Sequence, residues 1–120
     1  MTTFGEARSE LVAALVAAGC NAVADPGADA PYVLVQFDGG NAAHLLRGAV
    51  QADFRLTLVG GGWDQRGSAA ELDALRQTVI TTLRDLAGWQ LGDIGRDGGR
   101  DWAGGTYLCA DVGASRHIDL

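Results

Sequence analysis

The sequence predicts an α+β domain in which an antiparallel sheet of four or five strands carries two helices on one face. Three observations lead there. Two apolar stripes recur at three- and four-residue spacing, each opened by a capping signal and stopped by a glycine. Runs rich in β-branched and aromatic residues, or alternating with polar ones, lie between and after them. The connections suit hairpins, which join antiparallel neighbours.

The first helix is expected over Phe4 to Ala18. Thr3-Phe4-Gly5-Glu6 reads as a capping box, in which the Thr3 hydroxyl and the Glu6 carboxylate each satisfy an amide at the helix start. Phe4, Ala7, Leu11, Ala14 or Leu15, and Ala18 form its apolar stripe, and Gly19 is a left-handed stop. A turn-rich stretch from Asn21 to Pro31 holds both prolines and leads into Tyr32-Val33-Leu34-Val35-Gln36-Phe37, a strand ended by Asp38-Gly39-Gly40-Asn41. The segment around His44-Leu45-Leu46-Arg47, up to Val50, fits a short strand or a single helical turn. Phe54, Leu56 and Leu58 then alternate with Arg55 and Thr57, the pattern of a strand with one face on a core.

Gly60-Gly61-Gly62 is expected to break that strand, and Ser68-Ala69-Ala70-Glu71 to cap a long helix reaching about Ala87, with Gly88 as its stop. Leu72, Leu75, Val79, Leu83 and Leu86 make its buried stripe. Two further strands, Trp89 to Ile94 and Thr106 to Val112, complete a hairpin whose long loop, Gly95 to Gly105, is rich in glycine.

Length and composition fit one domain over residues 1–120: hydrophobic residues make up 48% and charged residues 20%, the usage of a folded globular chain. All nine basic residues are arginine, and the net charge is −6. Without lysine there is no Schiff-base, phosphate-loop or general-base lysine chemistry, and an acidic chain repels DNA phosphates. The apolar run Leu11 to Ala18 is too short to cross a bilayer and the N-terminus lacks a signal-peptide pattern, so neither export nor membrane insertion is expected. Cys20 and Cys109 are expected as separate, buried, reduced thiols.

No catalytic, metal or cofactor set emerges. Ser9 and Ser68 fit helix-surface and capping roles, and Ser115-Arg116-His117 lacks an elbow motif. Cys20, Cys109, His44 and His117 lack the close pairs that zinc sites draw from one turn. Asp97 and Asp101 each have a nearby arginine, Arg96 or Arg100, which argues against paired catalytic carboxylates. The passage from Gly60 to Ser68 has the shape of a phosphate cradle, but it matches neither the dinucleotide fingerprint nor the phosphate-loop spacing, and Asp64 lies within it, so a structural turn is favoured. Another reading takes this segment, and the loop from Gly95 to Gly105, as contact surfaces: each carries a tryptophan and arginine, residue types common at binding hot spots. Trp63, Arg66, Arg100 and Trp102 are the candidates; the competing reading tucks each tryptophan onto its own domain edge and leaves the arginines solvated.

With these elements in place, the chain resembles the tail terminator proteins of long-tailed bacteriophages. The likeness runs through the helix Phe4 to Ala18, the entry Pro31-Tyr32-Val33-Leu34-Val35, the strand Phe54 to Val59, the helix Ser68 to Ala87, and the hairpin from Gly88-Trp89-Gln90-Leu91 to Tyr107-Leu108-Cys109-Ala110-Asp111-Val112. It rests on layout, and another head-tail connector or stopper protein shares that layout. The resemblance implies a structural virion protein, not an enzyme and without a cofactor: a ring of copies of itself, six in the family, assembled in the bacterial host cytoplasm. That ring would cap the major tail tube protein, stop its polymerisation and meet the head-side connector. Genomic DNA would pass through its lumen unbound.

Overall fold

The computed structural model of the chain describes residues 3–23, 31–41, 49–63, 66–102 and 105–119. In chain order these form α1 (Phe4–Ala17), β1 (Ala22–Val23), β2 (Tyr32–Asn41), β3 (Ala49–Gly62), α2 (Ser68–Asp85), β4 (Trp89–Ile94), β5 (Gly98–Trp102) and β6 (Gly105–Asp119). The fold is α+β, with two helices and one open, six-stranded sheet in the order β1-β2-β3-β6-β4, with β5 also paired to β6. Every pairing is antiparallel except β1 with β2, so the sheet is mixed and has six strands where four or five antiparallel ones were expected.

Both helices contribute to one core on the same face of the sheet. Ala7, Leu11 and Leu15 of α1 and Leu72, Leu75, Val79 and Leu83 of α2 bury themselves against Val33, Val35, Phe54, Leu56, Leu58, Ala110 and Val112. Each fully buried leucine contributes roughly 1.5–3 kcal/mol, so these stripes account for how the helices are held. The alternate residues Tyr32, Leu34, Val59 and Cys109 form a second, smaller cluster on the face that carries neither helix.

Local signals explain most helix ends. The Thr3 hydroxyl accepts the Glu6 amide at 3.1 Å, as the first capping signal predicts. At the other end Gly19 takes a φ of 96°, with its amide on Val16 O at 3.0 Å and the Cys20 amide on Leu15 O at 2.9 Å, a Schellman closure. The second capping box does not form. Gly67, in a left-handed conformation, is the N-cap of α2; Ser68 is already helical and its hydroxyl donates to Gly62 O at 2.8 Å. Ser68 thus stands one position inside the helix instead of at its cap, and no side chain caps the first-turn amides.

The strands run longer than the sequence predicts, because glycines taken as terminators occupy bulges or close approaches. β2 continues through Asp38-Gly39-Gly40-Asn41, its register shifting between Phe37 and Gly40 around Gly39 at φ 99°. β3 runs on through Gly60-Gly61-Gly62; a Cβ at Gly60 would lie 3.1 Å from Ser68 O and 3.2 Å from Leu108 O, so glycine permits the helix and its neighbouring strand to close in. β5 lies inside the segment expected to be a long loop, and β1 inside the turn-rich stretch before Pro31. β4 and β5 pair in succession along the same side of β6, β4 with its later half and β5 with its earlier half. The question of strand or helical turn around His44 falls outside the described residues up to Ala49, where β3 begins.

Candidate interaction surface

Trp63 follows β3 at the start of the turn into α2, its amide donating to Thr106 O at 2.9 Å. Its indole lies against the β5 backbone: a Cβ at Gly99 would come within 2.7 Å of the ring. The side chain nevertheless stays 55% exposed, so the tryptophan is braced from beneath and open above. Arg66 is exposed and has no ion-pair partner among the described residues.

Arg100 belongs to a different surface. It lies on β5, not in a loop, and its guanidinium grips the Asp111 carboxylate with two hydrogen bonds, at 3.1 and 2.7 Å. Gly99 pairs with Leu108, which packs on the helix-side core, whereas Arg100 reaches Asp111 on the opposite face. Trp63 and Arg100 therefore stand on two sides of one strand and do not form one patch. Trp102 ends β5 opposite Gly105, and the expectation for its side chain lies outside the described part of the structure.

Asp111 also accepts the Thr57 hydroxyl at 2.9 Å, making an Arg100–Asp111–Thr57 network across three strands of the helix-free face. Burial raises the Asp111 carboxyl, but hydrogen bonds from Arg100 and Thr57, together with the Arg100 charge, outweigh it and hold the group below its ordinary value. Sequence reasoning missed this network because it placed Arg100 in a loop. Thr57 gave no signal of its own, because it falls on the polar side of the strand's alternation with Arg55.

Further along the same face, Gln36, Arg55, Asp53, Ser115 and His117 replace the apolar side chains. A depression of 410 Å³ opens there, lined by Asp38, Asp53, Asp93, Gln51 and Arg55 and by the glycines Gly92 and Gly113. Three carboxylates against one guanidinium make it acidic. Among the described residues no three His, Cys, Asp or Glu side chains converge closely enough to hold a metal ion.

The helix side carries a row of aromatic rings. Phe4 contacts Phe37 with ring centres 5.0 Å apart, Phe37 meets Phe54 at 5.7 Å, and Phe54 meets Trp89 at 5.4 Å. The row ends in a polar clasp: Glu10 of α1 accepts Trp89 Nε1 at 2.9 Å and Arg116 at 2.7 Å. Trp89 is thus a core residue, while Phe4 and Phe37 stay partly exposed at the β2 side.

The remaining sequence candidates have structural partners or none. Asp97 pairs with Arg76 of α2, and Asp101 accepts the Thr106 hydroxyl at 2.9 Å. Cys20 and Cys109 are free and buried in the two different clusters, and burial raises both thiols. At the start of α2 the Glu71 amide is bonded to Gly67 O at 3.0 Å, and Asp64 falls outside the described residues. No helix among the described residues is long and apolar enough to cross a membrane. Compared with known proteins, the chain matches no family model and no curated protein sequence.

Proposed function

We propose that this chain is a structural subunit of a bacteriophage tail, forming a terminator-type ring that caps the tail tube and meets the head-side connector. The observation that carries the reading is the one-sidedness of the fold. Both helices load one face of the sheet, and half of the other face is polar and acidic around Asp38, Asp53 and Asp93. Such a face suits the wall of a channel, because clustered carboxylates repel DNA phosphates and let the genome slide without binding. Trp63 and Arg66, at the turn into α2, supply an exposed aromatic and a cation for contact with a neighbouring subunit or tube protein.

The test is negative-stain imaging of the purified protein, alone and mixed with tail tubes. Rings, or tubes with one end capped, are expected. A protein that forms no rings alone and leaves the tubes uncapped would overturn the reading.

A further inference from the structure

Among the described residues the sheet has two unpaired edges, and they match one another. On one side β1 covers β2 only at Val33 and Leu34, so beyond that point β2 has no strand partner on its outer side among the described residues. On the other side β4 pairs with β6 alone among the described residues, which leave its outer edge open. Following the register across the sheet, Phe37 pairs with Phe54, Phe54 with Ala114, and Ala114 with Leu91. The next row in one direction runs Val35, Leu56, Val112, Ile94. The two open edges therefore lie at the same level of the sheet. Three successive antiparallel pairings also make β2 and β4 run in opposite directions.

Each edge carries exposed apolar side chains at that level. Of the five exposed large hydrophobic residues among those described, Phe4 and Phe37 stand at the β2 edge and Ile94 at the β4 edge. The two edges are different surfaces, so joining them is heterologous, and a heterologous contact between identical chains builds a ring where its rotation closes and an open filament where it does not. Bulges, between Phe37 and Gly40 on β2 and between Leu91 and Ile94 on β4, interrupt the edges on opposite sides of the Phe37–Leu91 row. Regular pairing is thereby limited to a few residues centred on that row, which keeps the edges from templating indefinite sheets.

We infer that successive copies of this chain join head to tail by antiparallel pairing of β2 in one copy with β4 in the next, with Phe37 beside Leu91, so that the sheet continues from subunit to subunit. The inference rests on the ring reading above and specifies its joint. The acidic half of the helix-free face lies at the level of the joint, so the same pairing makes that face continuous around the assembly.

Cysteine cross-linking tests the joint. Opposed residues in an antiparallel pair have Cα atoms roughly 4.5–5.5 Å apart, within disulfide range, and the native Cys20 and Cys109 are both buried. The double variant F37C/L91C, mildly oxidised, should give a ladder of covalent multimers up to the number of copies in the ring. A mixture of the two single variants should stop at dimers, and each single variant alone should stay monomeric. If rings or capped tubes are imaged but no ladder forms, or if a single variant dimerises by itself, the edge joint is overturned and the ring reading stands. If neither rings, caps nor ladder appear, both fall. Hydrogen exchange on the unsubstituted chain repeats the test should a variant misfold: amides of Val35–Asp38 and Trp89–Ile94 should gain protection in the ring, and unchanged exchange there in imaged rings overturns the joint.

Discussion

At Asp111, burial pulls the carboxyl up while Arg100 and Thr57 hold it down, and the second effect wins. A folded-state value below the unfolded one means that the interaction stabilises the protein fully above the unfolded carboxylate range, near ~3.9, and is lost as pH falls through the folded value. Asp111→Asn is therefore expected to lower stability at neutral pH by about 1 kcal/mol, the effect being reduced by the partial exposure of the pair. The gap between variant and wild type should narrow on acidification; urea melts at pH 7 and pH 3 measure it, and a gap that stays constant would contradict the assignment. Gly99 offers a second residue-scale test. An alanine there meets the Trp63 ring at 2.7 Å, but the exposed indole has room to swing outward. Gly99→Ala should cost under about 1 kcal/mol, less than overpacking in a closed core, and shift tryptophan emission to the red.

Among the elements, α1 and α2 are held by different devices at their starts, and substitutions should separate them. Thr3→Ala removes the hydroxyl that accepts the Glu6 amide and should destabilise by about 1 kcal/mol. Ser68→Ala removes no cap; it releases Gly62 O from a nearly buried hydroxyl, again at about 1 kcal/mol, and should loosen the β3–α2 junction more than the helix. Hydrogen exchange distinguishes the two, with faster exchange in the first turn of α1 for Thr3→Ala and around Gly62 and Trp63 for Ser68→Ala. Leu72→Ala, at a side chain with no exposure that packs against both β3 and the rest of the core, should cost roughly 2–5 kcal/mol by thermal or denaturant unfolding.

For the whole molecule, the proposed ring sets the expectation. Trp63 is braced on Gly99 but contributes little to the core, so Trp63→Ala should leave circular dichroism and melting close to wild type while weakening ring formation or tube capping. Unchanged assembly would remove the Trp63 surface from the proposal. Arg100→Ala is expected to behave differently, lowering stability through the stranded Asp111 carboxylate before any effect on assembly is seen.

The helix stripes and most of their ends were legible in the sequence because they depend on residues three to five positions apart. Thr3 with Glu6, Gly19 with its neighbouring carbonyls, and Leu72 through Leu83 are all such local relations. The extent of the strands was not legible, because a glycine reads as a breaker until its partner strand is known. Gly39 and Gly40 sit in and beside a bulge against β3, Gly60 makes room for Ser68 and Leu108, and Gly98 and Gly99 form a strand only because β6 runs beside them. The candidate surface followed the same division. The exposed tryptophan and arginines were visible as residue types, but only tertiary structure put Trp63 and Arg100 on opposite faces of β5 and joined Arg100 to Asp111. The sequence alone determined which segments were helical and which side of each met a core. Strand pairing, which links residues up to 70 positions apart across the β3–β6 register, decided which side chains stand together on each face of the sheet.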